Sequence, residues 1–240
     1  MDINQSGKNG IFCLSGNILK LLALVFMTVD HVGLYIFDNN PIMRIIGRLA
    51  FPIFAYMIAE GCRYTKNRAR YIVTMIAFAV VCQVVTSVAT NMLYMCIFVT
   101  FSFSIILIYS FDYMIRNRTL WSFFVLFCVF AVIVVVAEIL PMVLPKKLSF
   151  EMDYGLIGIL CPFLVYLGFN RPTKLALCAV GLILLSMVNG YIQWFCLLAL
   201  IPLALYSGKR GKLNLKYLFY IYYPLHIAVI YLIAFYIWRL

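Results

Sequence analysis

Long apolar runs, separated by short polar or basic stretches, fill the chain from residue 18 to residue 238. Each run predicts a helix, because about 20 apolar residues suffice to cross the hydrocarbon core of a bilayer. Several runs are shorter than this, so one pair is a candidate for re-entrant segments. The nine predicted helices cover residues 18–37, 42–62, 71–90, 92–112, 119–140, 154–169, 174–188, 191–206 and 217–238.

Composition supports a membrane protein. Hydrophobic residues make up 66% of the 240 residues and charged residues 11%, against about 25% charged in a soluble domain. A soluble fold of this size has too little interior to bury so many apolar side chains. We therefore expect an all-α, polytopic helix bundle of about nine transmembrane segments, built as a single domain over residues 1–240 and located in the cell membrane.

The basic residues are distributed unevenly between the two sides that these helices define. With a cytoplasmic N-terminus, fourteen of the 19 basic residues fall on the inner side, while the outer loops hold only Lys146, Lys147 and Arg239. The positive-inside rule then predicts a cytoplasmic N-terminus and an external C-terminus. The rule also accounts for the net charge of +11 without a nucleic-acid partner, which we do not expect. The fourteen inner residues are Lys8, Lys20, Arg63, Lys66, Arg68, Arg70, Arg116, Arg118, Arg171, Lys174, Lys209, Arg210, Lys212 and Lys216.

The eight cysteines form no recognisable site. They occur singly, without a C-x-x-C pair and without a histidine at metal-ligand spacing, so neither a disulfide framework nor a metal centre is predicted. We interpret them as small residues that pack between helices. They are Cys13, Cys62, Cys82, Cys96, Cys128, Cys161, Cys178 and Cys196.

Two adjacent ionisable residues, Asp30 and His31, lie in the first apolar helix. Such a side chain at membrane depth costs roughly 2.5–3.5 kcal/mol on insertion scales, so its presence indicates function. An imidazole can accept a proton near neutral pH, although a packing role for His31 stays open. Asp30 lies about 100° around the helix from His31. We therefore expect Asp30 to pair with a basic residue such as Arg48, with a catalytic role as the alternative.

Three more charged residues lie in the second predicted helix. Arg44 and Arg48 are four residues apart and share one face, which suits the binding of an anionic group by guanidinium forks. Neutralisation of Asp30 is the alternative for Arg44, whereas Arg48 lies deeper and is the better candidate for function. Glu60 lies at the inner end, where a functional role and a pair with the basic loop that follows are both open.

The second histidine, His226, follows Pro224 in the last predicted helix. Because proline has no N–H to donate to the preceding turn, we expect a kink and a polar pocket beside His226. The predicted topology places His226 near mid-membrane and the other polar groups between the centre and the outer face. The groups expected to converge there are Asp30, His31, Arg44, Arg48, Asp153, Tyr154 and His226.

These residues lie in blocks that resemble the TraX family of membrane proteins. The blocks come in the family's order and span about residues 19–228, and the first two and the last are the most specific. They are Leu19-Lys20 with Met27-Thr28-Val29-Asp30-His31-Val32-Gly33, Ile46-Gly47-Arg48-Leu49-Ala50-Phe51-Pro52-Ile53-Phe54 with Ala59-Glu60-Gly61, Tyr64-Thr65, Asp153-Tyr154-Gly155 with Gly158, and Tyr222-Tyr223-Pro224-Leu225-His226.

The resemblance implies acyl transfer. The namesake of the family is associated with N-acetylation of a pilin subunit, and similar membrane acyltransferases use a membrane histidine to pass an acyl group from cytoplasmic acyl-CoA to an acceptor on the far side. His31 becomes the candidate catalytic base or acyl acceptor, with Asp30 and His226 as further catalytic candidates. The implied substrate or oxyanion residues are Arg48, Glu60, Asp153, Tyr154 and Tyr223.

Acetyl-CoA is then the expected acyl donor. Its phosphates suit the basic inner loops at residues 63–70 and 209–216. An acceptor protein or glycan at the outer face and the lipid bilayer are the other expected partners. A non-enzymatic proton-coupled carrier or channel, lined by Asp30, His31 and Glu60, is the alternative function. The candidate cofactor-binding residues are Lys66, Arg68, Lys209 and Arg210.

Overall fold

The computed structural model describes residues 14–90, 92–145, 148, 150–211 and 215–239. This part of the chain is almost wholly helical, so the predicted all-α class is confirmed. Seven of the residues named above are outside the description, in whole or as side chains. They are Lys8, Cys13, Lys146, Lys147 and Lys212, together with the side chains of Lys216 and Arg239.

Eleven α-helices and one pair of short parallel strands make up the described fold. A π turn at Val135–Ile139 joins α6 to α7, and a 3₁₀ segment at Tyr191–Ala199 precedes α10. The strands β1 and β2 pair Tyr94 with Glu151 and Met95 with Met152. The elements are α1 Gly16–Tyr35, α2 Pro41–Gly47, α3 Ala50–Tyr64, α4 Arg68–Thr90, β1 Tyr94–Met95, α5 Ile97–Asn117, α6 Leu120–Val134, α7 Leu140–Val143, β2 Glu151–Met152, α8 Gly155–Leu167, α9 Arg171–Asn189, α10 Leu200–Ala204 and α11 Lys216–Arg239.

Seven segments of the described chain are long and apolar enough to cross a membrane, against nine predicted. The α8 helix and the stretch Tyr191–Ala204 are also apolar but shorter. The seven are α1, Pro41–Tyr64, α4, α5, Leu120–Val143, α9 and Ile221–Trp238.

Proline residues explain two departures from the predicted helices. The second predicted helix breaks at Arg48 and Leu49, between α2 and α3, because Pro52 has no N–H to donate to the carbonyl of Arg48. The predicted helix 119–140 instead continues to Val143, and its backbone widens into the π turn just before Pro141. Local backbone chemistry, rather than hydropathy, sets both irregularities.

One end of the bundle carries most of the positive charge. Arg68 in α4 forms an ion pair with Asp112 in α5 at 2.5 Å, and Arg63 at the end of α3 donates to the carbonyls of Tyr166 and Gly168 at the end of α8. These contacts bring the ends of four helices together. We call this the basic end, and its residues are Arg63, Lys66, Arg68, Arg70, Arg116, Arg118, Arg171, Lys174, Lys209 and Arg210.

The α3 helix forms the centre of the bundle. It packs against α1, α5, α8, α9 and the 3₁₀ segment, and Ile53 and Tyr56 are almost completely buried. In contrast, α4 and α6 bury few of their side chains within the bundle, as expected for helices that face lipid. The buried position of α3 holds the start of this helix rigidly beside α1.

Gly47 lets α2 approach α1 closely. A Cβ atom added at Gly47 would overlap the side chain of Asp30, whereas at Gly16 the nearest atoms are 3.6 Å away. Forcing extra atoms into a packed contact costs about 1–3 kcal/mol. We therefore expect Gly47→Ala to lower the melting temperature by roughly 2–10 °C, measured by fluorescence-monitored unfolding, and Gly16→Ala to leave it nearly unchanged. Equal melting temperatures for the two variants would contradict the close contact of α1 with α2.

Candidate functional site

A cavity of about 630 Å³ lies between α1, α2, α4, α11 and the turn before α8. It is at the opposite end of α3 and α8 from the basic end, and it contains most of the residues that the sequence predicted to converge. His226 lies behind His31 and contacts it directly. The predicted site residues that line the cavity are Asp30, His31, Arg44, Arg48, Asp153, Tyr154 and Tyr223.

The two histidines form a hydrogen-bonded pair. The Nδ1 atom of His31 lies 2.9 Å from the Nε2 atom of His226, and the two rings stack with centroids 5.1 Å apart. The Nδ1 atom of His226 lies 3.1 Å from the carbonyl oxygen of Tyr222. The expected polar environment of His226 is therefore present, and its main partner is the other histidine.

This chain of contacts fixes the tautomers of the neutral pair. A carbonyl oxygen only accepts hydrogen bonds, so Nδ1 of His226 carries its proton and Nε2 is an acceptor. Nδ1 of His31 must then be the donor, which leaves a lone pair on Nε2 of His31. That nitrogen has no hydrogen-bond partner among the described residues. His31 thus presents the form of imidazole that can accept a proton or attack an acyl group.

Tyr222 connects α11 to α1 beside the histidines. Thr28 donates to the carbonyl of Leu24 at 2.8 Å, so the hydroxyl of Tyr222, 2.7 Å away, donates to the oxygen of Thr28. The ring of Tyr222 also stacks on that of His226. Pairs of residues 28 with 222 and 31 with 226 show that α1 and α11 run parallel, as the predicted topology required.

Asp30 is neutralised by the arginines of the second helix. Its Oδ2 atom accepts from Arg44 Nη1 at 2.5 Å, and its Oδ1 atom lies 3.9 Å from Arg48 Nη2. The expected ion pair therefore exists, with Arg44 as the closer partner instead of Arg48. Asp30 makes no contact with the imidazole of His31, as their separation around the helix predicted.

Arg48 connects α1 to the turn before α8. Its Nη1 atom donates to the hydroxyl of Tyr154 at 3.2 Å and to Oε1 of Gln193 at 3.4 Å. The ring of Tyr154 stacks on Phe51 with centroids 4.2 Å apart. Because the Tyr154 oxygen accepts from Arg48, the hydroxyl proton is directed elsewhere. Burial raises the pKa of Tyr154 well above its ordinary value, so this proton is retained at neutral pH.

The β1–β2 pair holds Asp153 on another wall of the cavity. Tyr94 donates to Oδ1 of Asp153 at 2.8 Å, and Thr100 donates to the Asp153 carbonyl at 2.8 Å. Burial raises the pKa of the Asp153 carboxyl to about 6, while the Tyr94 hydrogen bond and the charge of Arg48 act in the opposite direction. The carboxyl of Asp153 is therefore a weaker acid than that of an exposed aspartate.

The backbone at Tyr154 adopts a left-handed conformation, with φ of 61°. This conformation is strained for a tyrosine and is typical of functional sites. Glu138 in the π turn stabilises the turn by accepting from the Leu156 N–H at 3.0 Å. A Cβ added at Gly158 would lie 2.5 Å from Cβ of Tyr154, so only glycine leaves room for this arrangement.

Glu60 does not belong to this site. It forms an ion pair with Lys174 of α9 at 2.5 Å, and both side chains are about nine-tenths buried. Of the two roles left open for Glu60, a pair with the basic loop after α3 is not what the structure has, because α9 brings Lys174 against α3 near the basic end. A carrier path lined by Asp30, His31 and Glu60 is likewise not supported, since Glu60 does not line the cavity.

The four candidate cofactor-binding residues lie at the basic end, away from the cavity. Lys66, Lys209 and Arg210 have exposed side chains, whereas Arg68 is paired with Asp112. The carbonyls of Lys209 and Arg210 accept from the N–H groups at the start of α1. The loop that contains Lys209 and Arg210 therefore contacts the N-terminal end of α1, the helix that carries His31.

Sequence reasoning missed several residues that shape the site. Tyr222 was named only as part of a family block. Gln193 is a single amide side chain in an apolar segment, and this isolated polar residue was the signal that could have pointed to it. Glu138 and Tyr94 act through contacts with distant segments, which local spacing does not reveal.

Comparisons with known proteins place these residues in a family. A model described as TraX protein matches residues 15–234. An uncharacterized protein of Rickettsia prowazekii (strain Madrid E) is 31% identical over 210 residues, covering 85% of this chain and 74% of the relative. The protein named "Probable fimbrial assembly protein FimC, serogroup H1" of Dichelobacter nodosus is 25% identical over 240 residues, covering 88% and 92%. No solved structure matches the chain. The protein therefore belongs to the TraX family and is a multi-pass membrane protein.

Proposed function

We propose that the protein is a membrane-embedded acyltransferase that moves an acetyl group from acetyl-CoA to an amine or hydroxyl of an acceptor. The observation that carries the proposal is the His31–His226 pair, which fixes a lone pair on Nε2 of His31 in a residue that lines a polar cavity. An idle ionisable group at this depth would be costly.

In the direct route, His31 acts as a general base. Its Nε2 atom accepts the acceptor's proton while the acceptor oxygen or nitrogen forms a bond to the thioester carbon. The carbon–sulfur bond then breaks, and His31 returns the proton to the departing thiolate. His226 stabilises the transient imidazolium of His31, because its Nε2 lone pair accepts the Nδ1 hydrogen bond.

In the covalent route, Nε2 of His31 forms the bond to the thioester carbon itself, and the thiolate leaves. The acceptor then attacks the acetylated imidazole and breaks its bond to Nε2, and the released Nε2 takes up the acceptor's proton and passes it to the thiolate. Both routes need the same tautomer, so the geometry favours neither. In both, a negative charge develops on the carbonyl oxygen, and the Tyr154 hydroxyl is the proposed donor to it, since Arg48 polarises that hydroxyl.

The proposed orientation places the basic end in the cytoplasm of a bacterial cell, with a cytoplasmic N-terminus and nine passes through the cell membrane. Lys66, Lys209 and Arg210 would contact the phosphates of acetyl-CoA. Arg68 could contact a phosphate only while its guanidinium also remains paired with Asp112. His31 is about 16 Å along α1 from Lys20, taking 1.5 Å per residue. The acyl arm of the donor would have to extend over this distance.

The acceptor is proposed to be a pilin-type N-terminal amine or a cell-surface glycan at the outer face. The printed name of the Dichelobacter relative, a fimbrial assembly protein, supports the first of these. The test is to incubate purified protein in nanodiscs with isotopically labelled acetyl-CoA and surface extract, and to find the labelled product by mass spectrometry. Labelled product that forms equally without the protein would contradict the proposal.

Tyr222→Phe is expected to lower acetyl transfer roughly tenfold, the cost of one lost hydrogen bond, because the bond of the Tyr222 hydroxyl to Thr28 holds the ring that stacks on His226. The variant keeps the carbonyl that accepts from His226 but loses the hydroxyl bond to Thr28. Rates are measured with Tyr236→Phe as the control, because Tyr236 is an exposed tyrosine of the same helix. Equal rates for the two variants would show that Tyr222 does not position His226.

A further inference from the structure

We propose that Arg44 and Arg48 form a subsite for an anionic group, a carboxylate or phosphate, that the acceptor carries close to its reacting atom. The identity of the ligand as an acceptor rests on the proposed acyl transfer. The anion site itself rests only on the arrangement of charges and donors in the cavity.

The charges on this wall of the cavity do not balance. Arg44 and Arg48 both line the cavity, and the carboxylate of Asp30 is their only ion-pair partner among the described residues. Asp153, the other carboxylate of the cavity, accepts from Tyr94 and forms no described ion pair with either arginine. On the side formed by α1 and α2, two guanidinium groups thus share one directly paired carboxylate, and Asp153 acts on Arg48 only across the cavity.

Hydrogen-bond donors are in excess around Arg48 as well. A guanidinium has five N–H donors, and among the described residues those of Arg48 form hydrogen bonds only to two neutral acceptors, Tyr154 and Gln193, at 3.2 and 3.4 Å. The carboxylate of Asp30 lies 3.9 Å away, beyond hydrogen-bond distance. Gln193 is 2% exposed, and its Nε2 atom has no partner among the described residues. An anion beside Arg48 would accept charge-assisted hydrogen bonds, which are strong where water is scarce.

The subsite adjoins the reacting centre. Asp30 contacts both arginines and precedes His31 in the same helix, so the guanidinium groups and the imidazole share one cavity. A ligand bound to Arg48 while its nucleophile lies at His31 must carry its anionic group and that nucleophile within the span of this one cavity. Acidic sugars, phosphorylated sugars and residues with acidic side chains meet this requirement.

Binding of a simple anion tests the subsite without knowledge of the acceptor. The protein is placed in nanodiscs of zwitterionic phosphatidylcholine and titrated with inorganic phosphate or acetate, and unfolding is followed by intrinsic fluorescence. We expect a saturable rise in melting temperature for the wild type. Arg48→Gln should weaken apparent binding roughly ten- to hundredfold, whereas Arg70→Gln, an exposed arginine of the basic end, should not change it.

Asp30→Asn is expected to change the affinity for phosphate in the opposite direction from Arg48→Gln. Removing the carboxylate leaves two arginines unneutralised, so phosphate should bind more tightly than to the wild type. An arginine–aspartate pair with a purely structural role predicts no saturable binding to either protein. Absence of saturable stabilisation in both, or equal binding to the wild type and Arg48→Gln, would overturn the proposal.

Kinetics separate the acceptor from the donor as the source of the anion. With an acceptor in hand, Arg44→Gln should raise the KM for the acceptor and leave the KM for acetyl-CoA unchanged. A rise confined to acetyl-CoA would overturn the assignment to the acceptor. If phosphate binding follows the predicted order while the wild type transfers no acetyl group, the subsite is supported and the proposed acyl transfer fails.

Discussion

His31→Ala is expected to lower acetyl transfer by roughly 10²–10⁴-fold, the usual contribution of a positioned acid–base group. The variant removes the only lone pair that the His31–His226 pair presents to the cavity. It should still insert and fold, because His31 makes one side-chain hydrogen bond among the described residues and the neighbouring ion pair of Asp30 with Arg44 remains. The measurement is the initial rate of acetyl transfer in nanodiscs, normalised to folded protein.

His226→Ala is the matched comparison, because His226 accepts from His31 without lining the cavity. Losing this bond, which becomes charge-assisted when His31 is protonated, should cost roughly 10–100-fold, less than the loss of His31 itself. Nitrogen-15 labelling of histidine adds an independent check, since the chain has only two histidines. Both rings should carry their proton on Nδ1. Full transfer activity in His31→Ala would show that the mechanism proposed above is wrong.

Breaking the pair of Glu60 with Lys174 is expected to have the largest effect on stability. Each residue is 8% exposed and the two charged groups lie 2.5 Å apart, so removing either one leaves an uncompensated buried charge. We expect Glu60→Gln or Lys174→Met to lower the free energy of unfolding by about 3–5 kcal/mol. The measurement is denaturant unfolding followed by intrinsic fluorescence.

A double variant distinguishes a structural role of the Glu60–Lys174 pair from a role in acetyl transfer. Glu60→Leu with Lys174→Met replaces both charges by apolar groups and should be far more stable than either single variant, since a buried ion pair often contributes little over an apolar pair. Its acetyl transfer per folded molecule should match that of the wild type, because neither residue lines the cavity. Loss of transfer in a stable double variant would return Glu60 to the functional site.

Hydropathy predicted the helical architecture well, because lipid imposes the same requirement on every segment. The candidate site was predicted for a related reason, since ionisable residues in apolar helices are costly and therefore informative. The convergence of Asp30, His31, Arg48, Asp153 and His226 required only the order and direction of the helices. These features depend on the hydropathy and order of whole segments, which a single sequence is sufficient to give.

Partner choice was harder to predict, because it depends on which helices touch. A partner in the adjacent loop was one of the two roles open for Glu60, but its partner Lys174 is 114 residues away. Pro52 is a sequence signal for the helix break at Arg48, but the continuous apolar run around it predicted an unbroken helix. Tyr94 reaches Asp153 through a two-residue strand pair, which is too short to leave a periodic signal.

The parallel pairing of α1 with α11 has a consequence for biosynthesis. Asp30 and Arg44 are 14 residues apart, so this charge can be neutralised as soon as the second helix enters the bilayer. His31 and His226 are 195 residues apart, which corresponds to roughly 10–40 s of translation. His31 therefore has no histidine partner in the nascent protein until the segment that contains His226 has been synthesised, and a product truncated before His226 would lack the pair.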